Sequence, residues 1–217
     1  MQCYGQSFYF SLSFLLVYLS HGSETNWVVF QLYTAIQSDR FNMSVTVTLE
    51  DEAQTKCHVL LYEIENAAEV RQLIMKGQVE ASLIKPEMIV DSFQVIVAAN
   101  KAVRCLALKK MTTRSVFAEI IYNLSPTRTI TESLKTFGLG DDDKHILAVV
   151  LDDGSGDKLK QLHGQVKGKE IPIAELSSLT NKSKVTETYK VTPSELTVSS
   201  LVDAVVSRMA CKEFLLL

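Results

Sequence analysis

Two apolar runs, residues 57–64 (CHVLLYEI) and 145–151 (HILAVVL), stand out against a chain that is otherwise patterned at helical spacing. Each is short and partly β-branched or aromatic, which predicts two buried strands. After the first, Asn66 offers an N-cap. Ala67, Val70, Leu73 and Ile74 then recur at helical spacing until Gly77 ends the turn. The stretch 88–139 predicts three consecutive helices. Asp91 caps the first, whose apolar face is Phe93, Ile96, Val97, Val103 and Ala107, although Val95-Ile96-Val97 also suits a strand. Thr113 is expected to cap the second, with Phe117, Ile120, Ile121 and Leu124 on one side and a stop at Ser125-Pro126. Thr129-Ile130-Thr131-Glu132 has capping-box spacing and opens the third, and Gly138 suits a left-handed cap at its end.

Further on the pattern weakens. In 158–184, Ile171, Ile173, Leu176 and Leu179 flank either a short helix or a strand, and 185–191 alternates as a strand would. Thr192-Pro193-Ser194-Glu195 combines capping-box spacing with Pro at the first helical position, a helix start. The last helix carries Val198, Leu201, Val202, Val205 and Met209 on one stripe. No internal repeat, low-complexity tract or long linker follows Met43, so one domain over 43–217 is expected.

The first 42 residues differ. Residues 1–23 lack Lys, Arg, Asp and Glu, and 8–19 (FYFSLSFLLVYL) form an apolar run of twelve. That run has the look of a signal-peptide core but lacks a basic flank, and it falls short of the roughly 20 residues that span a bilayer. The preferred expectation is an apolar extension outside the fold, with Met43 as the natural start. The alternative is a targeting segment on a secreted or membrane-associated glycoprotein, to which the N-x-S triplets at Asn42, Asn123 and Asn181 add a little.

Composition narrows the chemistry. At 217 residues and 47% hydrophobic content the chain can bury a substantial core, and a net charge of -3 gives no global attraction to a polyanion. Cys3, Cys57, Cys105 and Cys211 lie far apart with no CxxC pair, which argues against zinc and against a disulfide scaffold. No Walker loop occurs, Gly138-Leu139-Gly140 lacks the third glycine of a dinucleotide fingerprint, and the acids of DDGSGD (152–157) do not alternate as calcium ligands must. That segment and Asp141-Asp142-Asp143 are expected to be solvated turns. His58 and His145 fall at strand positions where structural histidines are common. No catalytic residue, metal or cofactor is expected. A small enzyme with an unrecognised pocket is the third reading, and turnover by the isolated chain would be its signature.

Lys101, Arg104, Lys109, Lys110 and Arg114 fall within fourteen residues that contain no Asp or Glu. On pattern alone, a solvated helix face whose long stems cover apolar neighbours accounts for them.

VAANKAV (97–103), KM.TR (Lys110, Met111, Thr113, Arg114), EII.NLSP (119–126) and I...L..FG (Ile130, Leu134, Phe137, Gly138) resemble the family of PRPK-binding, TPRKB-like subunits of the KEOPS (EKC) complex. The similarity runs from about Cys57 to Met209 and includes LVDAVVSRM (201–209). It implies an α/β fold, a small mixed sheet covered by several helices. It also implies a non-catalytic protein of the cytoplasm and nucleus, in a complex that installs threonylcarbamoyladenosine on tRNA. Two partners follow from it, a PRPK-type atypical kinase and the CCA end of tRNA, and no membrane. With the resemblance the cationic stretch reads as a nucleic-acid patch. Asn100, Lys101, Lys110, Thr113, Arg114 and Asn123 are then the candidates for tRNA, since phosphates call for cations and unstacked bases for polar groups. Leu201, Val205 and Met209 are the candidates for the kinase contact, where an interface centre should be apolar.

Overall fold

The computed structural model describes residues 43–213. The apolar run at 8–19, Cys3, His21 and the triplet at Asn42 lie outside the described residues. Strands β1 (Ser44–Thr48) and β2 (Lys56–Ile64) lead to helix α1 (Ala67–Met75), β3 (Ser82–Ile84), α2 (Ser92–Ala107), α3 (Val116–Leu124) and α4 (Ile130–Phe137). There follow β4 (His145–Asp152), α5 (Asp157–Gln165), β5 (Gly168–Ile171), α6 (Leu176–Leu179), α7 (Lys182–Thr188) and α8 (Leu201–Cys211). The α/β class and the three helices after residue 88 are as the sequence predicts.

The sheet order is β1-β2-β4-β3, and β5 pairs with the end of β2 beyond β1. Among the described residues every strand pairing is antiparallel, so the expected mixture of strand directions is absent there. β2 and β3 run the same way, but β4 lies between them and opposes both, so no parallel pair forms.

The central pair explains why its strands read as unbroken apolar runs. Cys57, Val59 and Leu61 of β2 and Leu147, Val149 and Leu151 of β4 join the larger core, with residues of α2, α3, α7 and α8. Their neighbours Leu60, Tyr62, Ile64, Ile146, Ala148 and Val150 join a smaller core with Ala67 and Val70 of α1 and Leu162 of α5. Successive side chains of a strand point to opposite faces, and here both faces are covered. β1 is covered on one face only, with Val45 and Val47 buried and Thr46 and Thr48 exposed.

Several ends differ from expectation, each for a reason visible in its contacts. Residues 182–188 form helix α7, because the Asn181 side chain accepts from Lys184 N at 3.0 Å and Val185 and Tyr189, four apart, share one buried face. Tyr189 then donates its hydroxyl to the Leu124 carbonyl and accepts from Gln94 Nε2 at 3.0 Å, a fully buried network joining α2, α3 and α7. Thr192-Pro193 opens only a short 3-10 turn (Glu195–Thr197), since Glu195 is drawn into an ion pair with Arg208 at 2.6 Å. α8 starts after Ser200, which forms the true capping box with Asp203. Thr129 does not cap α4 with its side chain; Ser133 Oγ donates back to the Thr129 carbonyl instead. Asp152 is buried rather than solvated, accepting from the amides of Gly154 and Gly156.

Gly138 is extended (φ -77°), so it is no left-handed cap. It is required by space: a Cβ there would lie 2.5 Å from the Leu134 carbonyl oxygen, next to the bridge that Gly138 makes with Ile84. Gly138→Ala is therefore expected to destabilise the fold by about 1–3 kcal/mol, the usual range for overpacking. Chemical denaturation checks this, with a midpoint that falls at unchanged slope.

Candidate functional site

The cationic stretch lies where α2 ends and α3 begins. α2 starts at Asp91, whose carboxylate accepts from Phe93 N at 2.8 Å, and stops in a Schellman closure: Lys110 N donates to Cys105 O at 2.8 Å and Lys109 N to Leu106 O at 3.0 Å. The left-handed residue of that closure is Lys109 (φ 54°), where glycine is the usual occupant. α3 is capped by Ser115, not Thr113: the Ser115 oxygen accepts from Ala118 N at 3.2 Å.

Thr113 has a different task. Its amide and its hydroxyl both donate to Glu119 Oε2 at 2.7 Å, and the Thr112 amide donates to both carboxylate oxygens at 3.0 and 3.1 Å. Glu119 is 1% exposed, so a buried acid underlies the turn that carries Lys110 and Arg114. Arg104, Lys109, Lys110 and Arg114 are exposed, and none of them forms a salt bridge among the described residues. Leu106 and Leu108 are exposed beside them.

The remaining predicted residues divide. Asn100 is partly buried and its Oδ1 accepts from Glu50 N at 3.4 Å. Lys101 pairs with Glu213 at 3.6 Å, and its ammonium nitrogen is buried without a hydrogen bond. Asn123 is 2% exposed and donates to the Ala98 carbonyl at 3.3 Å, tying α3 to α2. It is a structural residue. Neither a nucleotide nor a glycan reaches it in the folded chain, and Asn181 uses its side chain to cap α7.

Of the apolar candidates, Val205 and Met209 are buried in the larger core and Leu201 is only partly exposed. The stripe of α8 faces this chain's own larger core, where the helix packs on α2, because an apolar stripe at helical spacing is spent on the nearest core. Exposed apolar surface lies just before the helix, at Leu196 and at Val198, which is 76% exposed.

Two charged residues escaped the sequence reading. The signal for Glu119 was present, a single acid inside the apolar helix VFAEIIYNL. Lys212, just after α8, gave none. It is wholly buried, donates to the Tyr122 carbonyl at 2.5 Å and stands over the Tyr122 ring. Arg128 holds the carbonyls of Lys212 and Glu213. Desolvation, and secondarily the charge of Lys101, push the Lys212 ammonium down to about 8. His58 is the structural histidine expected of its strand: Nδ1 meets the Thr46 hydroxyl at 2.9 Å, and burial lowers its affinity for a proton.

Among the described residues no group of three metal-ligating side chains occurs, and no helix is long and apolar enough to cross a membrane. The family model described as kinase binding protein CGI-121 matches residues 61–213. The chain belongs to the CGI-121 family. It is 39% identical over 160 residues to the EKC/KEOPS complex subunit TPRKB of Danio rerio, covering 73% of this chain and 91% of that protein. It is 27% identical over 142 residues to the EKC/KEOPS subunit cgi121 of Aspergillus fumigatus (61% and 75%). The corresponding Schizosaccharomyces pombe subunit is 26% identical over 150 residues (66% and 86%).

Because the Lys212 ammonium is held below its ordinary range, the unfolded chain binds a proton that the native chain releases between about pH 8 and 10.5. Stability is therefore expected to rise with pH across that window, by up to about 3 kcal/mol, and the penalty is fully present below pH 8. Denaturation of wild type and Lys212→Met at stepped pH checks this: the difference between them should shrink or change sign toward wild type as pH rises.

Proposed function

We propose that this chain is a non-catalytic subunit of a KEOPS-type complex. It binds a PRPK-type kinase and the 3' end of tRNA, and thereby supports threonylcarbamoyladenosine formation on tRNA in the cytoplasm and nucleus. Membership of a kinase-binding family and likeness to EKC/KEOPS subunits support the assembly. The observation that carries the tRNA contact is the exposed loop of Lys109, Lys110 and Arg114, with Arg104 beside it and the only nearby acid of α3 turned inward. A single-stranded tail with a phosphate every nucleotide fits a short run of unpaired cations flanked by apolar surface at Leu106 and Leu108. Lys101, paired with Glu213, and Asn100, bonded to the Glu50 amide, lie at its inner edge and support it from within.

Lys110→Glu with Arg114→Glu is expected to weaken tRNA binding by the assembled complex. The lost phosphate contacts should reduce the salt slope by about 1.4, as for two contacts to a single strand. Kinase co-purification should be unaffected. Filter binding across a salt titration measures this, and equal affinity at every salt concentration would refute the contact. Removing the CCA end from the tRNA should weaken wild-type binding far more than that of the double variant.

The kinase contact centres on the exposed apolar residues Leu196 and Val198 and the outer part of Leu201. Val198→Glu should abolish co-purification with the kinase at unchanged thermal stability. Val205→Arg should unfold the chain itself, since an unpaired charge in a packed core costs several kcal/mol. A folded Val198→Glu protein that still retains the kinase would move the contact elsewhere.

A further inference from the structure

We infer that Glu119 is the positioning residue of the cationic loop: its buried carboxylate fixes the backbone at Thr112 and Thr113 so that Lys110 and Arg114 are presented in one geometry. The inference rests on the tRNA reading above for its purpose, but its structural part stands alone.

Three observations carry it. Glu119 is 1% exposed and lies in the first turn of α3, where an acid is favoured by the helix dipole but burial is not. Four hydrogen bonds converge on its two oxygens from two successive loop residues, three from amides and one from the Thr113 hydroxyl. A surface acid would contribute little. This one gives the loop amides partners in place of solvent, and breaking the set would leave a buried carboxylate unsatisfied.

The loop is also constrained from its other end. Lys109 sits in the left-handed region at a cost of roughly 1 kcal/mol relative to glycine. The Schellman bonds at Cys105 and Leu106 hold one side of it and Glu119 the other. A strained residue between two hydrogen-bonded anchors persists only when its surroundings fix it. Among the described residues Lys109, Lys110 and Arg114 form no salt bridge, and the anchored backbone sets where their side chains leave the loop.

The consequence is preorganisation. A loop that is already ordered does not lose the conformational entropy of ordering when a phosphate backbone docks, and for one residue's backbone that entropy corresponds to roughly a tenfold change in affinity. Glu119→Ala should therefore raise hydrogen exchange at the Thr112 and Thr113 amides and weaken tRNA binding by roughly tenfold. The salt slope should stay as in wild type, because the number of cations is unchanged. Glu119→Gln keeps one acceptor oxygen where three of the four bonds meet and should restore most of the protection and affinity.

The two variants also separate positioning from charge. If Glu119 acted only as a negative charge near RNA, both would bind tRNA more tightly than wild type, and the inference would be overturned. Amide exchange in the unmutated chain gives a measure that needs no variant: Thr112 and Thr113 amides exchanging at the rate of open coil would equally overturn it. If instead Lys110→Glu with Arg114→Glu leaves tRNA affinity unchanged while the two amides are protected, the tRNA reading fails and the positioning of the loop stands. A folded Glu119→Ala chain with wild-type exchange and wild-type tRNA affinity would sink the inference by itself.

Discussion

Burial of the β2–β4 pair on both faces is the constraint on which the other elements depend. Each strand offers apolar side chains above and below the sheet, so neither face can be left in water, and helices must cover both. α1 and α5 cover one, while α2 and α3 pack on the other and α7 and α8 complete the same core. The heavier layer then has to be ordered internally. It is joined by the fully buried contacts of Gln94, Tyr189 and the Leu124 carbonyl, and by Asn123 to the Ala98 carbonyl. A buried polar network of this kind is specific because each group left unpaired costs more than the bond contributes.

That layer fixes the connection between α2 and α3. With both helices committed to the sheet, the residues at 108–115 must turn at the surface, and their backbone groups need partners. The Schellman bonds satisfy one end and Glu119 the other. What remains unpaired on this turn is its cationic side chains. The same packing settles the C-terminal end of α8, where Lys212 is drawn under Tyr122 and Arg128 takes the last carbonyls. Two buried charges thus act within one turn of α3, Glu119 on the loop before the helix and Lys212 on the carbonyl of Tyr122.

The placement of candidate residues follows from which groups the fold consumes. Val205 and Met209 fill the core beneath α8, Asn123 bonds to the neighbouring helix, and the Thr113 hydroxyl is taken by Glu119. Among the described residues the side chains of Lys110 and Arg114 form no salt bridge and stay exposed.

Local sequence was enough wherever one short-range rule decided the outcome. The runs at 57–64 and 145–151 had to be strands buried on both faces, and Asp91 had to start a helix because its side chain reaches the next turn without help. The clustering of five cations without an acid was likewise written in the chain. Tertiary structure decided the cases where two local rules competed. Residues 185–191 alternate like a strand yet place Val185 and Tyr189 four apart, and packing of Tyr189 beneath Gln94 selected the helix. Glu195 had capping-box spacing until Arg208 claimed it from another element. Nor could spacing tell an apolar stripe that faces its own core from one that faces a partner, or an acid on a helix surface from one beneath a loop. Those differences lie in which neighbour arrives from far along the chain, and a hydrophobic pattern records only that a face is apolar, not what covers it.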